Sequence, residues 1–168
     1  VNTMCVAWQA DMATLAERVR ADRAQGDLTL GLILTSAKTT FFAGADLRSL
    51  MNAPRLDPAE TFRVLEGVKR SYRTLETLGV PVVACLNGSA LGGGWETALV
   101  GHHRIATRNP KSQFGTPEVN LGLIPGAGGL TKMSRLLGLQ GAQPYIIECR
   151  LFGPEEGLKI GVIHEIVE

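Results

Sequence analysis

Two glutamates in glycine-rich, apolar surroundings are the side chains of this sequence best suited to catalysis. Glu96 ends the segment ALGGGWE (residues 90–96), and Glu118 ends the segment FGTPE (residues 114–118). A carboxylate in an apolar setting costs free energy unless it has a partner or a task. Two carboxyls that converge on one cavity repel each other, so one of them tends to hold a proton near neutral pH. An acid that faces a base is the arrangement required to add water across a double bond.

The glycines of this region have two interpretations. If Gly92–Gly94 begin a helix, their N–H groups lack helical partners and carry positive partial charge, which suits a developing oxyanion. A tight, densely packed turn from strand to helix also requires glycine. Nucleotide motifs are absent: there is no P-loop, and a GxGxxG pattern fails at Thr97 or at Thr131. The sequence therefore supports neither ATP nor a nicotinamide cofactor.

Alternating strand and helix patterns predict an α/β fold. Apolar residues at helical spacing predict two long amphipathic helices, 6–24 and 60–78, with Phe62, Leu65, Val68, Tyr72 and Leu75 on the inner face of the second. Shorter helices are predicted from the glycine run to residue 100 and at 126–137, 140–150 and 154–160. Buried strands are predicted at 29–36, 80–86, 104–106 and 162–167, with loops at 37–46 and around Pro54.

Length and composition favour one ordinary globular domain. The chain has 168 residues, is 45% hydrophobic and 20% charged, and carries a net charge of +1. This balance argues against nucleic acid or a membrane surface as the main partner, and no apolar run is long enough to span a bilayer. The cysteines Cys5, Cys85 and Cys149 are predicted to be reduced, buried thiols of a cytoplasmic protein.

The two ends of the sequence favour a fragment. The chain starts at Val1 rather than at a methionine, and it stops at Glu168 directly after a predicted strand. We therefore expect residues 1–168 to form a single domain that is incomplete at both ends.

Four linked motifs give the sequence a family resemblance. They are FFAGADL (41–47), NGSALGGGWE (87–96), FGTPE (114–118) and LGLIPGAGG (121–129). In order and approximate spacing, from about residue 30 to 168, the chain resembles the crotonase (enoyl-CoA hydratase/isomerase) superfamily. The resemblance implies a crotonase-like α/β fold with a repeated ββα core. It also implies that an N-terminal strand and the C-terminal oligomerisation helices are missing.

A narrower resemblance concerns the subgroup. Residues 2–4, the pair His102–His103, the long segment between the two glutamates and residues 144–152 are similar to the hydratase part of multifunctional fatty-acid oxidation proteins. The implied parent carries a fused 3-hydroxyacyl-CoA dehydrogenase domain or forms a homo-oligomer. Leu130-Thr131-Lys132 stands where the family commonly has Thr-Gln-Arg. This departure affects the assignment to a subgroup more than the predicted chemistry.

The resemblance also implies the roles of four residues. The N–H groups of Ala45 and Gly93 would form an oxyanion hole for an acyl-CoA thioester, and Glu96 and Glu118 would be the catalytic pair. Isomerases commonly keep only the second glutamate, so the resemblance favours an enoyl-CoA hydratase that converts trans-2-enoyl-CoA to 3-hydroxyacyl-CoA in β-oxidation. We assign Glu96 as the base that activates water and Glu118 as the acid. No metal or redox cofactor is implied.

The alternatives are a Δ3-Δ2 enoyl-CoA isomerase or 3-hydroxyacyl-CoA epimerase, and a non-catalytic crotonase-like scaffold.

Further candidates for substrate binding flank these four residues. They are Lys38, Ala43, Gly44, Asp46, Gly92 and Trp95. Trp95 either packs in the core or lines the acyl pocket, and Asp46 either shapes its loop or contacts substrate. His102 and His103 predict a polar strand edge rather than metal ligands. Loops 37–48 and 87–96 are expected to face each other, with the amide nitrogens of Ala45 and Gly93 less than about 10 Å apart.

Overall fold

A parallel sheet organises the computed structural model, which describes residues 2–26, 30–47, 51 and 57–168. The strands of these residues are β1 (Leu32–Leu34), β2 (Val82–Leu86), β3 (Ala90–Leu91), β4 (His103–Thr107), β5 (Phe114–Gly115) and β6 (Glu165–Val167). Strands β1, β2, β4 and β6 lie in that order, while β3 and β5 form a second, two-stranded parallel sheet. Ala84 of β2 is aligned with Arg104 of β4, and Ala106 with Ile166 of β6. The pairings between these strands are parallel, so helices and long connections must link them. An isolated bridge between Phe114 and Phe152 is antiparallel.

The helices follow local start and stop signals. They are α1 (Val6–Ala24), α2 (Pro58–Glu76), α3 (Gly93–Ala98), α4 (Gly129–Ile146) and α5 (Pro154–Lys159), with a 3₁₀ helix at Pro117–Leu121. Proline at the first position of α2 suits a helix start because its missing N–H would have no partner there. Gly138, with φ 72° and ψ 166°, kinks α4.

Two apolar clusters hold these elements together. Met12 and Ala16 of α1 pack with Val68, Tyr72 and Leu75 of α2. The larger cluster surrounds Trp95 of α3, whose ring lies 5.8 Å from that of Phe114 and 5.1 Å from that of Phe152. These aromatic contacts fix α3 against β5 and the C-terminal part of the chain.

Most predicted elements are present, with corrections at the edges. The strand predicted as buried at 29–36 is shorter, and Ile33 is 67% exposed because β1 ends the sheet order. On α2, Phe62 (64% exposed) and Leu65 point out of the core. The helices predicted at 126–137 and 140–150 are the two halves of kinked α4, which ends at Ile146. The last strand begins at Glu165 rather than at residue 162.

The cysteine prediction is wrong in part. All three cysteines are free thiols, but Cys5 is exposed and Cys85 is half-buried, so only Cys149 is a buried side chain. Three predicted positions lie outside the described residues: Thr29 at the start of the first predicted strand, Arg48 at the end of the loop 37–48, and Pro54 in the second predicted loop. Within the described ranges, none of the helices has the length and apolar character needed to cross a membrane.

Candidate active site

A cavity of about 420 Å³ collects most of the predicted site residues. One wall is the loop Ala43–Leu47, a second is the glycine turn at Gly92 and Gly93, and a third is the 3₁₀ helix with Glu118. Three motifs that lie far apart in the sequence thus meet around one space. Asp46 and Gly44 line the same cavity, as does Thr3, to which the sequence analysis assigned no role in the site.

Backbone pairing brings these segments together. Phe42 pairs with Ala90 as an isolated parallel bridge: the Phe42 N–H donates to the carbonyl of Ser89 (3.1 Å), and the Leu91 N–H donates to that of Phe42 (3.0 Å). Next along the chain, the Gly92 N–H donates to the Gly115 carbonyl (2.8 Å). The loop that carries Ala45 and the glycine turn therefore lie side by side, joined directly by backbone hydrogen bonds rather than facing each other across an open space.

The N–H groups of Ala45 and Gly93 lie within reach of one ligand. Gly44 has φ 90°, and a Cβ on it would lie 3.6 Å from the Gly93 nitrogen. Three covalent bonds join that Cβ position to the Ala45 nitrogen, so the two amide nitrogens lie within about 8 Å of each other. Gly93 is the first residue of α3, and among the described residues no acceptor pairs with the N–H of Gly93 or of Ala45. The binding of a thioester oxygen by these two N–H groups stays a prediction.

The glycine run serves packing as well as the turn. Gly92 has φ 54°, a left-handed conformation that favours glycine. A Cβ on Gly94 would lie 2.2 Å from the carbonyl oxygen of Phe42, which is backbone and cannot move aside. Both observations fit the interpretation of the run as a tight, densely packed turn, and the oxyanion interpretation stays a prediction.

Glu96 is buried and held by two backbone N–H groups. It is 3% exposed, and its Oε1 accepts hydrogen bonds from the N–H of Ala127 and of Gly129, both at 2.8 Å. Burial raises the pKa of the Glu96 carboxyl, while these N–H bonds and the charge of Lys132 oppose the rise. The carboxylate is oriented through one oxygen, which leaves Oε2 for other partners.

Glu118 has a different environment. It lies in the first turn of the 3₁₀ helix, and its Oε2 is buried without a hydrogen-bond partner among the described residues. Burial, to which the negative charge of Glu96 adds, raises the pKa of Glu118 to about 7, against the opposing effect of its own backbone N–H. Near neutral pH this carboxyl is therefore present in both protonation states.

Three of the predicted site residues are not among those that line this cavity: Glu96, described above, Trp95 and Lys38. Trp95 is fully buried in the core, where its Nε1–H donates to Met133 Sδ (3.3 Å). This position fits the packing interpretation, and contact with an acyl chain stays a prediction. Lys38 is exposed and lines a separate cavity of about 510 Å³ beside Trp8.

The histidine pair forms structural contacts. His102 Nδ1 accepts from the N–H of Val82 (2.9 Å), and its Nε2 lies 3.0 Å from the carbonyl oxygen of Glu76. The ring of His103 stacks on that of His164, with centroids 4.6 Å apart. Across the part of the chain that the structure describes, no cluster of three or more His, Cys, Asp or Glu side chains is placed to hold a metal ion.

Sequence reasoning missed the residues that hold Glu96. The segment 121–129 carried the family resemblance, yet no role was assigned to its last glycines. A Cβ on Gly129 would lie 2.9 Å from Glu96 Cγ, so glycine is needed there for the carboxylate to approach the backbone. Met4, named only for the subgroup resemblance, also has a place here, because its methyl group packs on Gly93.

Comparisons with known proteins extend over almost the whole chain. The family model described as enoyl-CoA hydratase/isomerase matches residues 1–168. Fatty acid oxidation complex subunit alpha of Shewanella halifaxensis (strain HAW-EB4) is 34% identical over 172 residues, which cover 99% of this chain and 23% of that protein. The chain thus spans about a quarter of the length of the curated relatives that it matches.

Solved structures share the fold. The crystal structure of an enoyl-CoA hydratase/isomerase from Cupriavidus metallidurans CH34 matches with a TM-score of 0.87 and 30% identity, covering 99% of this chain and 60% of that one. An enoyl-CoA hydratase from Bacillus anthracis matches with a TM-score of 0.84 and 28% identity, covering 98% and 61%. The fold class predicted from the sequence is confirmed.

Proposed function

Because the chain belongs to the enoyl-CoA hydratase/isomerase family, we propose that its protein adds water to a trans-2-enoyl-CoA to give the 3-hydroxyacyl-CoA in fatty-acid β-oxidation. One observation carries the proposal: the carboxyls of buried Glu96 and half-buried Glu118 both approach the glycine turn that presents the Gly93 N–H. A Cβ on Gly92 would lie 3.0 Å from Glu118 Oε1, and one on Gly93 would lie 4.0 Å from Glu96 Oε2. Hydration needs a base and an acid, whereas moving a double bond can use a single proton carrier.

The amide pair supplies the activation of the thioester. Its carbonyl oxygen would accept hydrogen bonds from the N–H groups of Ala45 and Gly93, which stabilise the enolate formed when water adds. Loss of one such donor typically lowers kcat by roughly 10²–10³-fold. The thioester and these two donors provide the electrophile, so the proposed reaction has no step that calls for a metal or redox cofactor.

The two glutamates divide the proton transfers. Glu96 takes a proton from water as the water oxygen bonds to the β-carbon, and the electrons of the double bond move onto the thioester as an enolate. Glu118 then gives its proton to the α-carbon as the thioester carbonyl re-forms. Support comes from the raised pKa of Glu118, about 7, which keeps part of this carboxyl protonated at neutral pH.

Each turnover leaves the proton on the other carboxyl. Glu96 ends protonated and Glu118 ends ionised, so one proton must return from the first to the second before the next cycle. The two groups influence each other electrostatically, and they would therefore titrate as a pair with joint apparent pKa values.

The whole protein is also part of the proposal. The relatives named fatty acid oxidation complex subunit alpha are about four times as long as the segment they share with this chain. We propose that the chain is the hydratase domain of a cytoplasmic multifunctional protein in which a 3-hydroxyacyl-CoA dehydrogenase domain follows. A GxGxxG motif between a strand and a helix, encoded after Glu168 in the gene, would support this, and a stop codon there would contradict it.

The reaction type is tested with crotonyl-CoA and the full-length protein. We expect the absorbance of the conjugated enoyl thioester to fall as 3-hydroxybutyryl-CoA forms. Turnover of a 3-enoyl-CoA without hydration would replace the hydratase with an isomerase, and turnover of neither substrate would favour a non-catalytic scaffold.

A further inference from the structure

The side chain of Lys132 connects three elements around Glu96. Its Nζ forms an ion pair with Glu76, the last residue of α2, and donates a hydrogen bond to the carbonyl of Leu99 (3.1 Å). Leu99 is the C-cap of α3, the helix that carries Glu96. Lys132 itself lies in the first turn of α4. One ammonium group therefore joins α2, α3 and α4.

The same side chain covers the turn that binds the carboxylate of Glu96. The two N–H donors to Glu96 belong to Ala127 and Gly129. Between them, a Cβ on Gly128 would lie 3.8 Å from Lys132 Cε, and the Lys132 N–H donates to the Gly128 carbonyl (3.0 Å). Lys132 thus contacts both the helix that carries Glu96 and the turn that orients it.

The charges around Glu96 have opposing effects. Lys132 attracts its carboxylate, whereas Glu118 and Glu96 repel each other. Tyr72 is buried and neutral, since burial raises its pKa well above the ordinary range. Burial lowers the pKa of Lys132, Glu76 opposes that effect, and the charge of Arg104 adds to it. Glu76 therefore keeps Lys132 charged and in place.

We propose that Lys132, held by Glu76 and the Leu99 carbonyl, is a positioning residue that fixes the Glu96 carboxylate and keeps it ionised as the base for hydration. This inference rests on the proposed function. Lys132 is one of the three residues at which the sequence departs from the family's Thr-Gln-Arg. Its ion-pair partner, Glu76, lies 56 positions earlier in the chain.

The first experiment measures kcat for hydration of crotonyl-CoA against pH in the full-length protein. On the acid side of this pH profile, the acid limb, kcat rises as Glu96 becomes ionised. Lys132→Met removes the positive charge that favours the ionised form, so the acid limb should move to higher pH. Lys132→Arg keeps the charge and should restore the acid limb toward the wild-type position. Lys159→Met, which removes an exposed lysine from the last turn of α5, is the matched control and should leave the limb in place.

The second experiment uses Glu76→Gln, which removes the ion-pair partner that keeps Lys132 charged and in place. The acid limb should therefore move to higher pH, in the same direction as in Lys132→Met. If Lys132→Met and Glu76→Gln shift the limb in opposite directions, or if neither shifts it, the inference is overturned. If Lys132→Met does not fold, judged by thermal unfolding, Glu76→Gln and Lys132→Arg still decide it. A wild-type protein that fails to hydrate crotonyl-CoA would instead refute the proposed function.

Discussion

At the residue scale, the two carboxyls of the site are held in unequal ways. Glu96 accepts two N–H bonds on one oxygen, whereas Glu118 keeps a buried oxygen without a partner among the described residues. Donors to a carboxylate favour its ionised form, and burial without donors favours the protonated form. Burial raises the pKa of both carboxyls, but the N–H groups of Ala127 and Gly129 and the charge of Lys132 oppose the rise at Glu96. Glu96 therefore has more groups that favour the ionised form, which a base requires.

The raised pKa of Glu118 predicts a pH-dependent contribution to stability. Between the ordinary value of 4.5 and about 7, the folded protein holds a proton on Glu118 that the unfolded chain has released. The free energy of unfolding should therefore fall as pH rises through this window. Denaturant unfolding of the full-length protein at several pH values measures it, with Glu118→Gln as the comparison. If both proteins show the same pH dependence, Glu118 is not titrating in this range.

Part of the candidate site was predictable at this scale. Glu96 and Glu118 stand out because a carboxylate within a glycine-rich, apolar segment is unusual, and the motifs give Ala45 and Gly93 their place. The donors at Ala127 and Gly129 were not predictable, because a backbone N–H is present at every non-proline residue. The ion pair of Lys132 with Glu76 depends on how α2 packs near α4, and spacing along the chain does not encode that.

At the element scale, the helix that carries Glu96 depends on close backbone contact. Gly94→Ala would place a methyl group against the Phe42 carbonyl oxygen and separate α3 from the loop that carries Ala45. We expect a loss of about 1–3 kcal/mol in the free energy of unfolding, typical of overpacking, together with reduced activity.

Gly67→Ala is the matched control for this change. Gly67 lies within α2, and a Cβ there meets no atom within 4 Å. Alanine should stabilise this helix by roughly 0.5–1 kcal/mol relative to glycine. Equal effects of the two substitutions in denaturant unfolding would show that the contact of Gly94 with Phe42 does not limit stability.

Element types were easier to predict than element edges. Apolar spacing identified α1, α2 and β2 because their buried residues repeat at helical or strand periods. The same spacing placed Phe62 and Leu65 inside, since a periodic face does not show where the core beneath it ends. The 3₁₀ helix at Pro117–Leu121 lacks a hydrophobic repeat, and Gly138 bends α4 without breaking it.

At the scale of the whole molecule, the described surface carries exposed apolar side chains. Exposed residues are Phe62 on α2, Leu121 at the end of the 3₁₀ helix, Ile124 (75% exposed) after it, and Leu130 on α4. Large exposed apolar patches favour association or aggregation. We expect residues 1–168 alone to associate, with little hydratase activity. Sedimentation velocity measures this, and a monodisperse, fully active monomer would contradict it.

The central claim is that two glutamates divide the proton transfers of hydration, and one measurement tests it most directly. In deuterated water, the full-length Glu96→Gln variant is assayed for hydration of crotonyl-CoA and for α-proton exchange of butyryl-CoA. We expect hydration to fall by about 10²–10⁴-fold, as for loss of a general base, while slow exchange persists through Glu118. Glu118→Gln should lose both activities. If Glu96→Gln stops the exchange and Glu118→Gln leaves it running, the assigned roles are reversed.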